Sequence, residues 1–210
     1  MEIDKLFDGG PKPPDPAEAE KTEREKENQK LLAVIAQNDE NVSVRAAATR
    51  RLDDQELLAD IARRDMDTRV RLAAIDRLNR AEILTEIAIG DSDLTVRKRA
   101  VNRVSDQQVL TVIARDEKDA EIRETALVRL QDEEFLAYLA IGDDDPRVRR
   151  AAALRLDDQK LLAKLARTSS DPEVRLAAAA RIEDQTLLAQ LALSDESEAV
   201  RVKAIRRLNA

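Results

Sequence analysis

Two rows of arginine are the side chains here with the clearest capacity for chemistry. Arg45, Arg71, Arg97, Arg123, Arg149, Arg175 and Arg201 stand 26 residues apart. Arg51, Arg77, Arg103, Arg129, Arg155, Arg181 and Arg207 keep the same spacing. A guanidinium presents a rigid fork of N–H donors that fits a carboxylate or a phosphate. The rows therefore admit two readings: two basic stripes gripping an anionic polymer, or a set of internal ties. Asp67, Asp93, Asp119, Asp145 and Asp171 precede Arg71, Arg97, Arg123, Arg149 and Arg175 by four residues. A residue repeated in every layer of a stack usually serves contact between layers. The internal reading is favoured, with these pairs forming an Asp–Arg ladder that satisfies helix N-termini and fixes register.

Other chemistry is thinly supplied. The chain has no His, Cys or Trp, two Phe and one Tyr. Without His or Cys the common acid–base and thiol routes are closed, and no pocket-type constellation of carboxylates stands out. Catalysis by this chain is not expected, and neither is a cofactor or a metal. Asp143, Asp144 and Asp145 precede Pro146 and could suggest calcium, but no EF-hand spacing follows, so they read as a turn with an N-cap. The net charge is −7. Residues 1–28 hold nine acids and five bases, which leaves only −3 for the remaining 182 residues. That balance, and the scarcity of aromatics for base stacking, disfavours nucleic acid. No apolar run approaches the ~20 residues a bilayer requires, and no secretory signal is visible. A soluble, cytoplasmic protein is expected.

The elements that must position the arginines follow from the period. A unit of 26 residues begins at Gln29 and recurs from Gln55, Ala81, Gln107, Glu133, Gln159 and Gln185. The units are 29–54, 55–80, 81–106, 107–132, 133–158, 159–184 and 185–210. Positions 3, 4, 7 and 8 of each unit are apolar, with Leu fixed at 4 and Ala at 8, which makes one stripe of a helix, helix A. Positions 16, 20 and 24 are apolar with Ala fixed at 20, and make a second stripe, helix B. Position 13 is Asp in five units, Asn41 in the first and Ser197 in the last, all of them types that can cap helix B. Asp54, Asp106, Asp132, Asp158 and Asp184 are placed to cap the next helix A, while Arg80 breaks that rule. Gly90 and Gly142 stand where helix A should end, as C′ glycines do, and Pro146 and Pro172 fit the first turn of helix B. Helices of about ten residues are marginal alone, so stability must come from stacking. The result is an all-α fold of seven two-helix layers, a curved rod of roughly 60–70 Å at the usual interhelical spacing.

The pattern D-x-x-VR-x-A-A-x-x-R-L-x-D-Q-x-L-L-A-x-I-A, which Asp145–Ala166 matches but for Leu165 in place of Ile, resembles HEAT-like repeats, closest to the short bacterial kind grouped with phycobilisome lyases. More distantly it is similar to the leucine-rich repeat variant, whose shorter units carry a 3₁₀ segment. The resemblance covers residues 29–210. It implies a right-handed α-solenoid of antiparallel helix pairs, B helices on the concave side, an Asp–Arg ladder and a bacterial source. The lyase relatives attach bilins, and nothing here supplies a bilin site or nucleophile.

Outside the units, residues 1–15 form a Gly- and Pro-rich tail in which Ile3, Leu6 and Phe7 could be a short docking motif. Residues 16–28 read as a charged helical extension that caps the first layer, with Glu20–Arg24 and Lys21–Glu25 at favourable spacing. Within the units the variable positions point to partners. Position 18 reads Ala46, Leu72, Lys98, Glu124, Arg150, Leu176, Val202, and its charged members could pair with one another across layers. Leu72, Arg150, Leu154, Leu176 and Val202 are the candidate contact residues of a face that binds a protein or peptide. On helix A, Ile89, Tyr138, Ile141 and Leu193 are exposed candidates. No polar capping unit follows Leu208, so self-association through the C-terminal end is a second expectation. The function expected is a non-enzymatic scaffold or adaptor; a self-assembling solenoid is the alternative, and a nucleic-acid binder a less favoured one.

Overall fold

The computed structural model describes residues 16–208. Among these residues there are fourteen helices and no strand. The tail motif Ile3, Leu6 and Phe7 lies outside the described residues. The chain divides into two compact units, Met1–Leu78 and Asn79–Ala210.

The first compact unit contains α1 (Pro16–Asn38), α2 (Val42–Thr49), α3 (Gln55–Arg64) and α4 (Thr68–Arg77). In α1 the charged extension runs without a break into the first helix A, 23 residues in all. Its recorded ion pair is Lys26 with Glu23 at 2.7 Å, rather than the two pairs read from spacing. Helices α1 and α2 pack together, α3 packs on α4, and α2 packs on α4.

The second contains α5 (Ala81–Gly90), α6 (Leu94–Val101), α7 (Gln107–Asp116), α8 (Ala120–Leu127) and α9 (Glu133–Gly142). It continues with α10 (Pro146–Arg155), α11 (Gln159–Thr168), α12 (Pro172–Ala179), α13 (Gln185–Ser194) and α14 (Glu198–Arg207). Consecutive helices pair, and the even-numbered members pack in series from α6 to α14. Neighbouring helix pairs thus stack as layers.

Burial explains the choice of residues. Leu110, Leu136, Leu162 and Leu188 of the helix-A stripe are fully or almost fully buried. So are Ala100, Ala126, Ala152 and Ala178, whose small side chains let the even-numbered helices approach. The structure adds a row the periodicity did not single out, position 21: Thr49, Val101, Leu127, Ala153 and Ala179 are all buried. Each buried Leu or Ile contributes about 1.5–3 kcal/mol, which offsets the marginal stability of helices this short.

The punctuation is mostly as read. Asp67, Asp93, Asp119, Asp145 and Asp171 accept backbone N–H bonds at the starts of α4, α6, α8, α10 and α12. Asp54, Asp106, Asp132, Asp158 and Asp184 do the same for α3, α7, α9, α11 and α13. Three details differ. Ser197 makes no side-chain cap bond. Gly90 and Gly142 are the last helical residues, and the chain leaves through extended Asp91 and Asp143 instead of a left-handed glycine. Four of the B helices, α2, α6, α8 and α12, have only eight residues and finish in a tighter turn.

Candidate functional site

Each arginine of the first row stands one turn into its B helix and reaches back to the preceding corner. Its Nη1 donates to the carbonyl six residues earlier: Arg45 to Asp39, Arg71 to Asp65, Arg97 to Asp91, Arg123 to Glu117, Arg149 to Asp143, Arg175 to Ser169 and Arg201 to Asp195. Those carbonyls follow the C-terminus of helix A, where its dipole favours a cation.

In Arg45, Arg97, Arg123, Arg149 and Arg175 the rest of the fork turns to the next layer. Arg123 Nε and Nη2 donate to the two carboxylate oxygens of Asp143 at 2.9 and 2.7 Å. Arg45 holds Asp65 in the same way at 3.0 and 3.1 Å, and Arg175 holds Asp195 at 2.9 and 3.0 Å. These are bidentate, charge-assisted bonds, the strong kind. Arg97 faces Glu117 at 3.9 Å, and its buried Nε has no hydrogen-bond partner. Arg149 uses position 13 of the next layer, placing Nε and Nη2 on one oxygen of Asp171 at 2.8 and 2.6 Å.

For Arg45, Arg123 and Arg175 the ladder partner is therefore position 11 rather than position 13, the position that the sequence suggested. Of the Asp–Arg sets read from sequence, the recorded bonds bring Arg149 and Asp171 together across layers. The reason is local. A position-13 carboxylate is turned onto the N–H groups of its own helix, as Asp119 is onto Glu121 at 2.9 Å. The position-11 side chain makes an Asx-type turn, Asp143 Oδ1 accepting from Asp145 N at 2.8 Å, and keeps its oxygens toward the neighbouring arginine. Where position 11 is Ser169, no carboxylate is available there and Arg149 turns to Asp171. The signal was in the sequence: Asp39, Asp65, Asp91, Glu117, Asp143 and Asp195 recur as regularly as the position-13 row.

The electrostatics follow these bonds. Arg45, Arg123 and Arg175 are held above the ordinary guanidinium range, chiefly by their bonds to Asp65, Asp143 and Asp195. Burial pushes Asp171 and Asp195 up, but the bonds from Arg149 and Arg175 and from backbone N–H groups outweigh it, and both lie below the usual carboxylate range. Asp67 and Asp145 are lowered to about 2, first by the side chains of Arg69 and Arg147 and then by the backbone N–H of the same residues.

The second arginine row points the opposite way, to the previous layer. Arg77 Nε donates to Leu52 O at 3.3 Å and Nη2 to Asp53 at 2.7 Å. Arg155 reaches Leu130 O at 3.2 Å, Arg181 reaches Leu156 O at 2.7 Å, and Arg207 reaches Ile182 O at 2.8 Å. A third device was missed by sequence reading, the glutamine that opens most units. Gln29 donates to Arg51 O at 3.0 Å and accepts from Asp53 N at 3.1 Å. Gln107 does the same with Arg129 O and Gln131 N, and Gln159 with Arg181 O and Glu183 N. Glu133 accepts from Asp157 N and Asp158 N.

With Arg45, Arg123, Arg149, Arg175 and Arg181 engaged between layers, what is offered outward lies chiefly at the variable positions. Leu154 and Val202 are exposed, Arg150 is exposed, and Leu72 and Leu176 are half-buried. Leu72 belongs to the first compact unit and the other four to the second. The charged members of position 18 do not pair with one another. Lys98 pairs with Glu121 at 3.0 Å and Arg150 with Glu173 at a loose 3.7 Å. The structure adds Val128, which is 52% exposed and, as the residue that closes α8, holds the same unit position as Leu154 on the adjacent α10. Beside Val128 is an open hollow of about 390 Å³ walled by Lys98, Asn102, Glu121, Glu124 and Arg147. Ile89, Tyr138, Ile141 and Leu193 of the A helices are exposed, with Tyr138 stacked on Phe135 at 5.7 Å between ring centroids. Asp143 and Asp145 are engaged by Arg123 and Arg147, and among the described residues no group of three or more acids is placed to hold a metal ion. No described helix is long and apolar enough to cross a membrane.

No protein-family model matches the chain. A search of curated proteins finds no match either.

Proposed function

We propose that the chain is a non-enzymatic HEAT-like scaffold, a right-handed stack of 26-residue units, that binds a protein or peptide partner through the exposed row of its B helices. The observation that supports this most is the pair Val128 and Leu154. Val128 closes α8 and Leu154 lies in α10, which packs against α8; both are exposed aliphatics at the same unit position, and on this reading they make a short apolar strip. Charges of both signs flank it: Lys98, Glu124, Arg147 and Arg150. A segment with apolar anchors and mixed charge suits such a surface, the strip supplying affinity and the rim specificity. Leu176 and Val202 would extend the strip.

The test is affinity capture from the source cell's lysate after nuclease treatment, read by mass spectrometry. The wild-type chain is compared with the double variant Val128→Glu, Leu154→Glu. Both side chains are exposed, so helicity by circular dichroism should be unchanged while the captured protein is lost. Equal capture by both chains sinks the assignment, and nuclease-sensitive capture favours the nucleic-acid reading instead.

A further inference from the structure

Inside each compact unit, a layer meets its neighbours through the same positions every time. Position 21 lies one turn on from the arginines that reach the following layer, and it is buried in Thr49, Val101, Leu127, Ala153 and Ala179. Position 16 lies two turns before the arginines that reach the preceding layer, and it is fully buried in Val70, Ile122, Val148, Val174 and Val200. Both rules fail once, at opposite ends of the chain. Ile205, at position 21 of α14, is 57% exposed, and Val44, at position 16 of α2, is 41% exposed. Leu208 and Leu32, whose counterparts are buried, are only half-buried.

The charges at these ends are complementary in the same register. Arg201 keeps its Nη1 bonds to the carbonyls of Asp195 and Glu196 at 2.7 and 3.1 Å. Among the described residues, no carboxylate meets the rest of its fork, the part that in Arg123 and Arg175 grips the next layer's position 11. At the other end the position-11 acid is Asp39. It makes its Asx turn to Asn41 N at 2.8 Å, as Asp143 does to Asp145, and receives no arginine fork from the described residues.

We propose that copies of this chain associate head to tail, the α13–α14 layer of one copy seating on the α1–α2 layer of the next. Arg201 then grips Asp39 of the second copy as Arg175 grips Asp195, and Ile205 and Leu208 cover Val44 and Leu32. The contact is heterologous, since two different faces meet. Its occupant is a second copy because both halves of the interlayer contact, apolar and charged, are present on this one chain.

Sedimentation velocity of the full chain over a wide concentration range tests this. Mass should rise with concentration. Ile205→Glu, a change at an exposed site, should weaken association at least about tenfold, and so should Arg201→Glu and Asp39→Arg separately. Mixing those last two variants should restore association. The carboxylate introduced in the first then meets the guanidinium introduced in the second, while the second chain's own Arg201 meets the first chain's own Asp39. Val128→Glu should leave association unchanged, which separates this surface from the partner strip. A chain that stays monomeric throughout overturns the proposal and leaves residues 1–15 or a different protein as the cover of Val44. Association untouched by Ile205→Glu, or variants that do not rescue each other, overturns it equally.

Discussion

The corner between α9 and α10 carries two arginine–aspartate pairs, one inside the stack and one on its rim. Asp143 takes the fork of Arg123 from the preceding layer, and their side chains are 5% and 11% exposed. Asp145, two residues on, pairs with Arg147 of its own helix, and that arginine is 61% exposed. The chemistry is the same, with N–O distances of 2.7 and 2.9 Å. What differs is reach and water. The inner pair joins two layers and is removed from solvent, so losing one partner strands a buried charge. The rim pair joins neighbours in sequence and is screened.

The largest effect that sharpens this contrast is Arg123→Ala. It leaves Asp143 buried without its cation and strips two carbonyls of their donor, and should cost about 3–5 kcal/mol in urea unfolding. Arg147→Ala, made beside it, should shift the midpoint hardly at all. Equal losses would mean that the fork is not what holds the layers. Next comes Asp158→Ala, which removes the cap accepting from Lys160 and Leu161 at the start of α11. It should cost about 1 kcal/mol by the same measurement. A change well below that would show the glutamine clamp at Gln159 to be sufficient for the corner.

The same contrast explains what the sequence could and could not disclose. Helices, caps and the fixed Leu and Ala rows are local or strictly periodic, and residues such as Leu110, Ala126 and Asp106 declare them directly. Partner choice across layers is a three-dimensional matter. Asp119 and Glu117 both lie near Arg123 in the chain, and nothing in spacing alone says that the acid at 11 looks across to a neighbour while the acid at 13 folds back on its own helix. The clamp of Gln107 was hidden likewise, because its partners Arg129 and Gln131 are more than twenty residues away. Position 21 escaped because its residues range from Thr49 to Leu127, and only burial unites them. The proposed strip is half visible in the sequence: Leu154 is a candidate there, while Val128 stands out only once its exposure and the packing of α8 on α10 are known.

A smaller and opposite effect is expected where the ladder is imperfect. Glu117 is the one position-11 side chain with an extra methylene, and its arginine, Arg97, stands off at 3.9 Å with an unmatched buried Nε. Glu117→Asp restores the length used at Asp65, Asp143 and Asp195. Closing that bond should raise stability by about 1 kcal/mol, the net contribution of one satisfied hydrogen bond. A loss of stability in urea unfolding would show that the bonds Glu117 now accepts from Lys118 N and Asp119 N matter more than the fork.

Acid gives the finest discrimination between inner and rim pairs. Asp145 is held at about 2 by Arg147, and Asp195 is also lowered, Arg175 and the N–H of Ser197 prevailing over its burial. An unfolded aspartate titrates near 3.9. Folded values below that mean the stabilisation is complete above about pH 4 and is lost as pH falls toward the folded values. Melting temperature should therefore drop between about pH 4 and pH 2. Asp195→Asn should flatten that drop visibly, and Asp145→Asn only slightly, because an exposed pair contributes little. High salt should erase the Asp145 difference and spare most of the Asp195 one, since buried pairs are poorly screened. Equal flattening by the two variants would dissolve the distinction between ladder and rim, and with it the reason for reading position 11 as the residue that orders the layers.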